Sequence, residues 1–385
     1  MNKFRKLLLP AVAFALVAAN ASVHAAKNSY DVDILVSDGF MATPNTDPHL
    51  VNGWGVAFNP TGFVWVADNG AGVSTLYDGH GVPSPLVPQP LVVTIPAATA
   101  GDTGTPTGIV FNSTNVGGTG DFAVTGKPSF FIFATEDGLI AAWAPGVAPT
   151  NAIRMYPAAA DAPTAVYKGI ALANDGTANH LYATDFLGGK IDVFDTSFAK
   201  VTLSGSFTDP KLPKGYSPFN VQNIGGNLIV TFGKRDEEEE DEEAKGKGFG
   251  VVDEFSPTGH LIRRIAQHGK LNAPWGVALA PASFGKFGGD LLIGNFGDGT
   301  INAYDAKSGK FKGQLKSAKN KVLHIDGLWG MAFGNGVNDQ SPDKLYFAAG
   351  PVGESHGMYG SIAPAPRHHG HDADGDEDED EDSED

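Results

Sequence analysis

Apolar and polar positions along this chain follow a pattern that returns about every 55 residues. Its first copy begins with the apolar run 53–58, continues with a run over 64–70 that contains a carboxylate, and closes over 74–78 with an aromatic residue and an aspartate. Each run is short, rich in β-branched and aromatic residues, and bounded by Gly, Pro, Asn or Asp, which indicates strands joined by tight turns. No stretch keeps a helical apolar period long enough to compete.

The pattern occurs six times in one order. Its copies start near residues 52, 105, 167, 217, 272 and 326. A repeat of this length built from short strands predicts an all-β fold, a six-bladed β-propeller with one small sheet per copy. The alternative, a long β-sandwich, would need six coincidental copies. The small Gly and Ala residues of the first runs suit innermost strands, because six sheets crowd together around the axis.

The two ends of the repeat region predict how the ring closes. The sixth copy ends after its third strand, near Ile362, whereas residues 31–36 form an alternating strand that belongs to no copy. We predict that this N-terminal strand, about residues 31–37, becomes the outer strand of the last blade. Such pairing would join both ends of the chain and remove an exposed sheet edge.

The N-terminal residues and the composition predict one exported domain. Residues 1–25 combine early basic residues, an apolar stretch and a small-residue motif ending at Ala25, which is typical of a secretory signal peptide. The apolar stretch is short for a membrane span. We therefore expect a soluble, monomeric mature chain in the periplasm or outside the cell, with the propeller over 26–366. The chain has no cysteine, which excludes disulfides and thiolate chemistry.

Negative charge is concentrated in two segments of a chain whose formal net charge is −17. Residues 234–248 form an insertion in blade four with eight consecutive acids, and residues 367–385 form a His-, Asp- and Glu-rich tail. Such runs are expected to stay solvated and disordered. The insertion should overhang one tunnel mouth and collect cations or dock a basic partner, while the tail is expected to bind transition metals or Ca²⁺ weakly, or only to solubilise the chain. Nucleic acid is excluded as a partner because it requires clustered Lys and Arg.

The propeller topology predicts where a site would lie. Since the first strand of a blade leaves one face and the second returns to it, the starts of the first strands and the ends of the second strands meet around one mouth. The candidate ligands there for Ca²⁺, the one cofactor considered, are Asn52, Asn272, Asp326 and Asn220. The alternative role of such side chains is turn formation.

The same mouth gathers candidate ligand-binding residues. Trp54, Trp275 and Trp329 occupy one position of the repeat, just before the glycine of the first run, and Lys168 holds this position in copy three. Aromatic rings at a mouth bind sugars or planar ligands by stacking, or else they wedge neighbouring blades together.

Catalytic signatures are mostly absent, and we assign no catalytic residue. The sequence contains no G-x-S-x-G elbow, no H-E-x-x-H pair and no glycine-rich phosphate loop in a strand–helix unit. His49 and His324 each lie shortly before a first strand, so they are the histidines placed to reach the mouth as an acid or base.

The repeated phrase, Trp-Gly-Val-Ala followed by Val-Ala-Asp-Asn-Gly and Tyr-Asp, resembles NHL-type propeller repeats. The fuller pattern over 52–70 resembles a family of secreted bacterial propeller proteins with no assigned activity, some of which end in a PEP-CTERM sorting signal. The resemblance covers about residues 30–363 and implies the fold and export, but it carries over no catalytic residue. This chain departs from the family at its end, where the acidic tail replaces the sorting signal, so anchoring is not implied.

Two classes of function remain open. The first is an extracytoplasmic binding or scaffold protein whose mouth engages a protein, a glycan or a small ligand. The second resembles the calcium-dependent propeller lactonases, with metal and substrate at the mouth. Such enzymes generally use a glutamate ligand early in the chain, whereas here only Glu136, Glu254 and Glu354 lie outside the insertion and the tail. This scarcity of glutamate favours the binding or scaffold protein over the enzyme. A third possibility, a lyase using Tyr and His at the mouth, rests on fold analogy alone.

Overall fold

The structure, a computed structural model, describes residues 27–85, 89–115, 120–157 and 164–366. Six antiparallel sheets follow one another along the chain and close into a ring around a central axis. The predicted six-bladed β-propeller is therefore confirmed. The predicted signal peptide, residues 1–25, and the acidic tail, residues 367–385, lie outside the described residues.

Each blade is a four-stranded sheet whose first strand lies nearest the axis. Blade one contains Gly53–Phe58, Val64–Asp68, Val73–Tyr77 and Val92–Thr94, and blade two contains Pro106–Phe111, Phe131–Thr135, Ile140–Trp143 and Ile153–Tyr156. Blade three contains Tyr167–Asn174, Asn179–Asp185, Lys190–Phe194 and Lys200–Val201, and blade four contains Tyr216–Ile224, Asn227–Lys234, Val251–Phe255 and Leu261–Gln267. Blade five contains Pro274–Leu279, Asp290–Asn295, Ile301–Asp305 and Phe311–Gln314, and blade six contains Leu328–Phe333, Leu345–Ala349, Met358–Pro364 and Tyr30–Ser37.

Short elements decorate these blades. A two-residue strand, Asn45–Thr46, pairs in parallel with the end of Tyr30–Ser37. A small hairpin joins Ala123–Val124 to Lys127–Pro128 within the first connection of blade two. In the part of the chain that the structure describes, one-turn 3₁₀ segments cover Asn69–Ala71, Ser113–Asn115 and Gly285–Phe287. Within the described residues, no helix is long and apolar enough to cross a lipid bilayer.

The N-terminal strand closes the ring in the predicted way. It pairs antiparallel with Met358–Pro364, with Val32 opposite Ile362. Tyr30, at its start, is fully buried, and its hydroxyl donates a hydrogen bond of 3.1 Å to the carbonyl oxygen of Phe284 in blade five. Both ends of the repeat region are thus held in one sheet, and the outer edge of Met358–Pro364 is covered.

The innermost strands of neighbouring blades pack directly against each other around the axis. A Cβ atom on Gly55 would lie 2.5 Å from the carbonyl oxygen of Thr107 in the next blade. A Cβ atom on Gly276 would lie 2.7 Å from the carbonyl oxygen of Trp329. Any side chain at these positions would push adjacent blades apart, which confirms the predicted reason for small residues in the first runs.

Candidate functional site at the tunnel mouth

The tunnel mouth is the end of the ring where the first strand of each blade begins and its second strand ends. Gly53 pairs with Asp68 in blade one, and Pro274 pairs with Asn295 in blade five. The start of the first strand and the end of the second strand therefore lie at the same rim in these blades, as the topology predicts.

The predicted calcium ligands occupy different positions of the repeat around this mouth. They are Asn52, Asn272, Asp326 and Asn220. Asn52 adopts the left-handed region with φ of 48°, and its equivalents two residues before the tryptophans of blades five and six are Ala273, with φ of 45°, and Gly327, with φ of 66°. Asn272 and Asp326 thus lie one position earlier, and Asn220 lies inside the tunnel at the position of Gly55 in blade one. The four candidates therefore occupy different positions of the repeat.

Oxygen atoms of these four residues already accept hydrogen bonds. Asn52 Oδ1 accepts one from the Trp329 indole at 3.1 Å, and Asn272 Oδ1 accepts one from the backbone amide of Gly246 at 2.6 Å. Asn220 Oδ1 accepts one from the next amide at 2.8 Å, and Asp326 Oδ2 accepts one from the amide of Val352 at 2.8 Å. Among the described residues, no group of three or more His, Asp or Glu side chains is arranged to hold a metal ion. Calcium binding stays a prediction.

The position before the first-run glycine is buried in every blade. Its occupants are Trp54, Thr107, Lys168, Phe219, Trp275 and Trp329. The rings of Trp54 and Trp329 stack with centroids 3.8 Å apart, and Phe296 stacks on Trp329 at 3.7 Å. With Phe186 these rings form the aromatic cluster, which fills the mouth. The tryptophans are at most 4% exposed, so in this conformation they pack together and leave no face open to a sugar. Contact between these side chains and a ligand stays a prediction.

Lys168 is fully buried and is surrounded by carboxylates. Its Nζ atom lies 2.9 Å from Glu242, 3.3 Å from Glu243 and 3.4 Å from Glu136. Burial alone would lower the pKa of the Lys168 ammonium, but the carboxylates of Glu243, Glu136 and Glu242 raise it above its ordinary value. The side chain therefore remains a cation, and its burial depends on these partners.

Two of these partners belong to the acidic loop, residues 234–248, which folds onto the mouth. The amide of Asp236 donates to the carbonyl oxygen of Glu242, and the amide of Ala244 donates to that of Lys234, both at 2.8 Å. Glu243 is buried, whereas residues 237–242 are exposed. The predicted overhang is confirmed. The run is solvated over residues 237–242 as expected, but the expectation of disorder is wrong, because Lys168 offers a buried positive charge to two of the acids.

Glu354 joins Glu136, Glu242 and Glu243 in one carboxylate cluster. Glu136 accepts a hydrogen bond from Asn69 at 2.8 Å, and Glu354 accepts one from Asn52 at 2.9 Å. Burial raises the pKa values of both Glu136 and Glu354. Glu354 has φ of 68°, a strained value for a residue with a side chain. The sequence places Glu136 at the end of a second strand, where it is a candidate for the mouth or for a turn, but it predicts no role for Glu354, whose signal is the rarity of glutamate outside the acidic segments.

The stability of the protein is expected to depend on pH through Glu243. Burial raises the pKa of Glu243 from 4.5 to about 7, so the folded chain binds this proton more tightly than the unfolded chain. The stabilisation is fully present below pH 4.5 and is lost as the pH rises through about 7. Relative to Glu243→Gln, which cannot ionise, the wild type should lose about 2 kcal/mol of unfolding free energy between about pH 5 and pH 8.

Urea denaturation of both proteins at the two pH values measures this difference. Glu239→Gln is the matched control, because it removes the same charge from an exposed position of the acidic loop. If the free energies of unfolding of the wild type and of Glu243→Gln change in parallel with pH, the raised pKa of Glu243 is contradicted.

A cavity of about 340 Å³ opens beside the aromatic cluster, between blades five and six. We call it the blade pocket. Its side chains are those of Lys245, Phe296, Asp298, His324, Asp326 and Glu354, and five glycines complete its lining. Lys245 comes from the acidic loop and places its Nζ atom 4.0 Å from the ring centre of Phe296. The pocket thus combines parts of blade five, blade six and the acidic loop, and it includes one of the predicted metal ligands, Asp326.

His324 is held in one orientation at this pocket. Its Nδ1 atom lies 3.0 Å from the carbonyl oxygen of Asp298. Because a carbonyl only accepts hydrogen bonds, Nδ1 carries the proton, and Nε2 of the neutral ring has a free lone pair. His49 has a different environment, since its Nδ1 atom lies 3.0 Å from the buried carboxylate of Asp47. Of the two histidines considered for the mouth, His324 is the one that lines the blade pocket.

Comparison with known proteins places the chain among relatives of similar length. It is 31% identical to the uncharacterised protein R648 of Acanthamoeba polyphaga mimivirus, over 88% of this chain and 81% of the relative. It is also 31% identical to the uncharacterised protein L690 of the same virus, over 87% of this chain and 86% of the relative.

A solved structure supports the fold alone. The soluble aldose sugar dehydrogenase of Escherichia coli, in its apo form, superposes with a TM-score of 0.53 at 13% identity, covering 88% of this chain and 100% of that one. No protein-family model matches the chain. Because each of these viral relatives is 31% identical over at least 87% of this chain and at least 81% of its own length, the chain belongs to the protein family that includes the mimivirus proteins R648 and L690.

Proposed function

We propose that this protein is an extracytoplasmic binding protein that takes a small polar ligand in the blade pocket. The observation that carries the proposal is the cavity of about 340 Å³ at the mouth where the first strands begin. Cavities of roughly 300–1,000 Å³ are the usual size of small-molecule sites. The blade pocket lies at the small end of this range, which suits a ligand of about the size of a sugar unit.

The chemistry of the lining favours hydrogen bonding over stacking. Asp298 and Asp326 are exposed carboxylates, and Lys245 of the acidic loop adds a cationic donor. The one aromatic side chain, Phe296, stacks on Trp329 and lies beneath the Lys245 ammonium. Glycines in the wall bring backbone amides and carbonyls within reach of a ligand. A ligand with several hydroxyl or amino groups fits this mixture best.

Export of the protein is supported by the sequence pattern of residues 1–25 and by the resemblance to secreted NHL-like propeller proteins. A chain without cysteine also needs no oxidising or reducing compartment to hold its fold. Mass spectrometry of the protein isolated from its native host should find a mature N terminus near residue 26. A predominant chain that retains residues 1–25 in the cytosol would contradict export.

A substitution in the blade pocket tests the binding proposal. Asp326→Asn keeps an oxygen for the Val352 amide but removes the negative charge from the pocket. We expect monosaccharides, amino sugars or polyamines to raise the melting temperature of the wild type, and Asp326→Asn to weaken that binding about tenfold, as loss of a charged hydrogen bond does. Calorimetric titration measures both affinities.

Asp339→Asn is the control for this experiment. Asp339 is exposed, has φ of 59° like many asparagines, and lies in the connection between the first and second strands of blade six, at the opposite rim. Its substitution should leave the affinity unchanged. A ligand panel without any thermal shift, or equal affinities for Asp326→Asn and the wild type, would rule out the blade pocket as the site.

The orientation of His324 favours a second candidate function, a calcium-dependent hydrolase related in mechanism to propeller lactonases. The free lone pair on Nε2 can accept a proton from water at the pocket. In this conformation the pocket carboxylates are not arranged as a metal site, so the candidate requires them to rearrange around Ca²⁺. Calcium should then raise the melting temperature of protein lacking residues 367–385, and Asp326→Ala or Asn272→Ala should abolish the shift. No shift in the shortened wild type removes this candidate.

A further inference from the structure

We propose that Lys168 and Trp54 form a second site at the mouth, which binds the carboxylate group of a ligand, and that Glu242 and Glu243 of the acidic loop occupy this site within the chain. The site lies in the mouth used by the proposed function but does not include the blade pocket, so the two can fail independently. Its ligand class is an anion with a planar apolar body.

The first support is the position of the Lys168 ammonium. The side chain is fully buried, yet two of its three carboxylate partners, Glu242 and Glu243, come from the acidic loop rather than from the blades. Glu136 is the partner that the blades themselves provide. A buried cation requires such partners. When the loop moves away, the ammonium is left with one carboxylate and a vacant direction that another anion can take.

The second support is an unpaired hydrogen-bond donor on Trp54, whose ring faces this ammonium. The Trp54 side chain is 1% exposed, and its Nε1 atom has no acceptor among the described residues. The corresponding atoms of Trp275 and Trp329 donate at 2.9 Å to the Lys168 carbonyl and at 3.1 Å to Asn52. Leaving a buried N–H without a partner costs free energy. An oxygen of a bound anion would supply the missing acceptor.

The walls of the site define the rest of the ligand. The Lys168 Nζ atom lies 5.6 Å from the ring centre of Trp54 and 5.5 Å from that of Phe186. Aromatic rings at this distance stabilise the cation, and they would form apolar walls of the space that the acidic loop vacates. A carboxylate attached to a flat ring can pair with Lys168 and lie against these walls, whereas a small hydrated anion gains only the ion pair.

The acidic loop is built in a way that permits exchange. Its tip, residues 237–241, is exposed, and the contacts that hold the loop lie at its base, where Asp236 and Ala244 donate across it, Arg235 donates to the Gly215 carbonyl and Gly246 donates to Asn272. Glu242 itself is about half-exposed, so its contact with Lys168 is open to water from one side. A tethered group competes as though it were present at millimolar concentration. The wild type should therefore bind a simple carboxylate only weakly.

Removing the two internal carboxylates should expose the site. In Glu242→Gln/Glu243→Gln the shape of the loop is kept and its competition for Lys168 is lost. Benzoate is the probe, and benzamide is its uncharged match. We expect saturable quenching of tryptophan fluorescence by benzoate with at least tenfold higher affinity in this variant than in the wild type, and no saturable quenching by benzamide. Glu238→Gln/Glu239→Gln removes the same charge from the exposed tip and should behave like the wild type.

Trp54→Phe in the Glu242→Gln/Glu243→Gln background tests the second donor. It keeps an aromatic ring but lacks the indole N–H, and it should lower benzoate affinity several-fold, with circular dichroism confirming that the chain is folded. Calorimetry replaces fluorescence for this variant. The proposal is overturned if the folded Gln/Gln variant binds benzoate no better than the Glu238→Gln/Glu239→Gln control, or if benzamide binds equally well. Asp326→Asn should not alter benzoate binding, so failure of the blade pocket leaves this result unaffected.

Discussion

Replacing Lys168 with methionine is expected to lower the free energy of unfolding by about 3–5 kcal/mol, because it removes the cation from a buried group of carboxylates. Glu243 is almost completely buried, and Glu136 and Glu242 also face the Lys168 ammonium. Without Lys168 these groups must either stay ionised at high cost or take up protons. Methionine keeps most of the volume of the side chain, so the loss reports charge rather than a cavity. Urea denaturation at about pH 8, where the carboxylates are most ionised, measures the effect.

Lys190→Met in the same blade is the matched control. Lys190 also pairs with two carboxylates, at 3.3 Å to Asp185 and 2.5 Å to Asp192, but its side chain is 51% exposed. Exposed ion pairs contribute about 1 kcal/mol or less. Lys168→Met/Glu243→Gln should recover part of the stability lost in Lys168→Met. Equal effects of the two lysine substitutions would show that Lys168 is not a buried counter-ion.

Replacing Tyr30 with alanine is expected to lower the free energy of unfolding by about 3–5 kcal/mol, the usual cost of removing a large buried aromatic side chain. The loss should be concentrated where the N-terminal strand closes the propeller. The Tyr30 ring is fully buried and lies 4.9 Å from Phe284 and 6.2 Å from Phe287, both in blade five. It thus fixes the N-terminal strand of blade six against the neighbouring blade. Loss of the Tyr30 side chain leaves a cavity between blades five and six, loosens the N-terminal strand and thereby exposes the edge of Met358–Pro364.

Hydrogen exchange distinguishes local opening of blade six from general destabilisation. In Tyr30→Ala the amides of Met358–Pro364 should exchange faster than in the wild type by a larger factor than those of blade three, since the strand they pair with is loosened. Asp31→Ala, at the next and exposed position of the same strand, is the control and should change the unfolding free energy by less than about 0.5 kcal/mol. If Tyr30→Ala speeds amide exchange by the same factor in blades three and six, the N-terminal strand does not hold the propeller closed.

The candidate site was only partly predictable from the chain. The repeat places Trp54, Trp275, Trp329 and Lys168 at one position, and the structure brings all four to the mouth. Their roles differ, because three are flat apolar rings that fill the opening while the fourth is a cation that needs partners. Those partners lie far away in sequence: Glu242 is 74 residues after Lys168. No local pattern predicts a contact over that separation.

The positions of the predicted calcium ligands were also hard to predict from the sequence, because they differ between blades by a single residue. Asn52 lies two residues before the tryptophan of its blade, whereas Asn272 and Asp326 lie three residues before theirs. The register shift of the first hairpin falls at that tryptophan in all three blades, so the difference arises in the chain before the strand. Whether a side chain points at the mouth therefore depends on the path of the chain before its first strand.

The sequence by itself determined the number of blades, their order, the closing strand and the position of the acidic loop. These features follow from the spacing of apolar runs and turn residues, which is a local property that is repeated six times. Only the tertiary structure decided which polar groups meet: the buried ion pairs of Lys168, the strained backbone that carries Glu354, and the blade pocket between blades five and six. Contacts between blades join residues that no repeat relates, so their chemistry becomes visible only when the ring is closed.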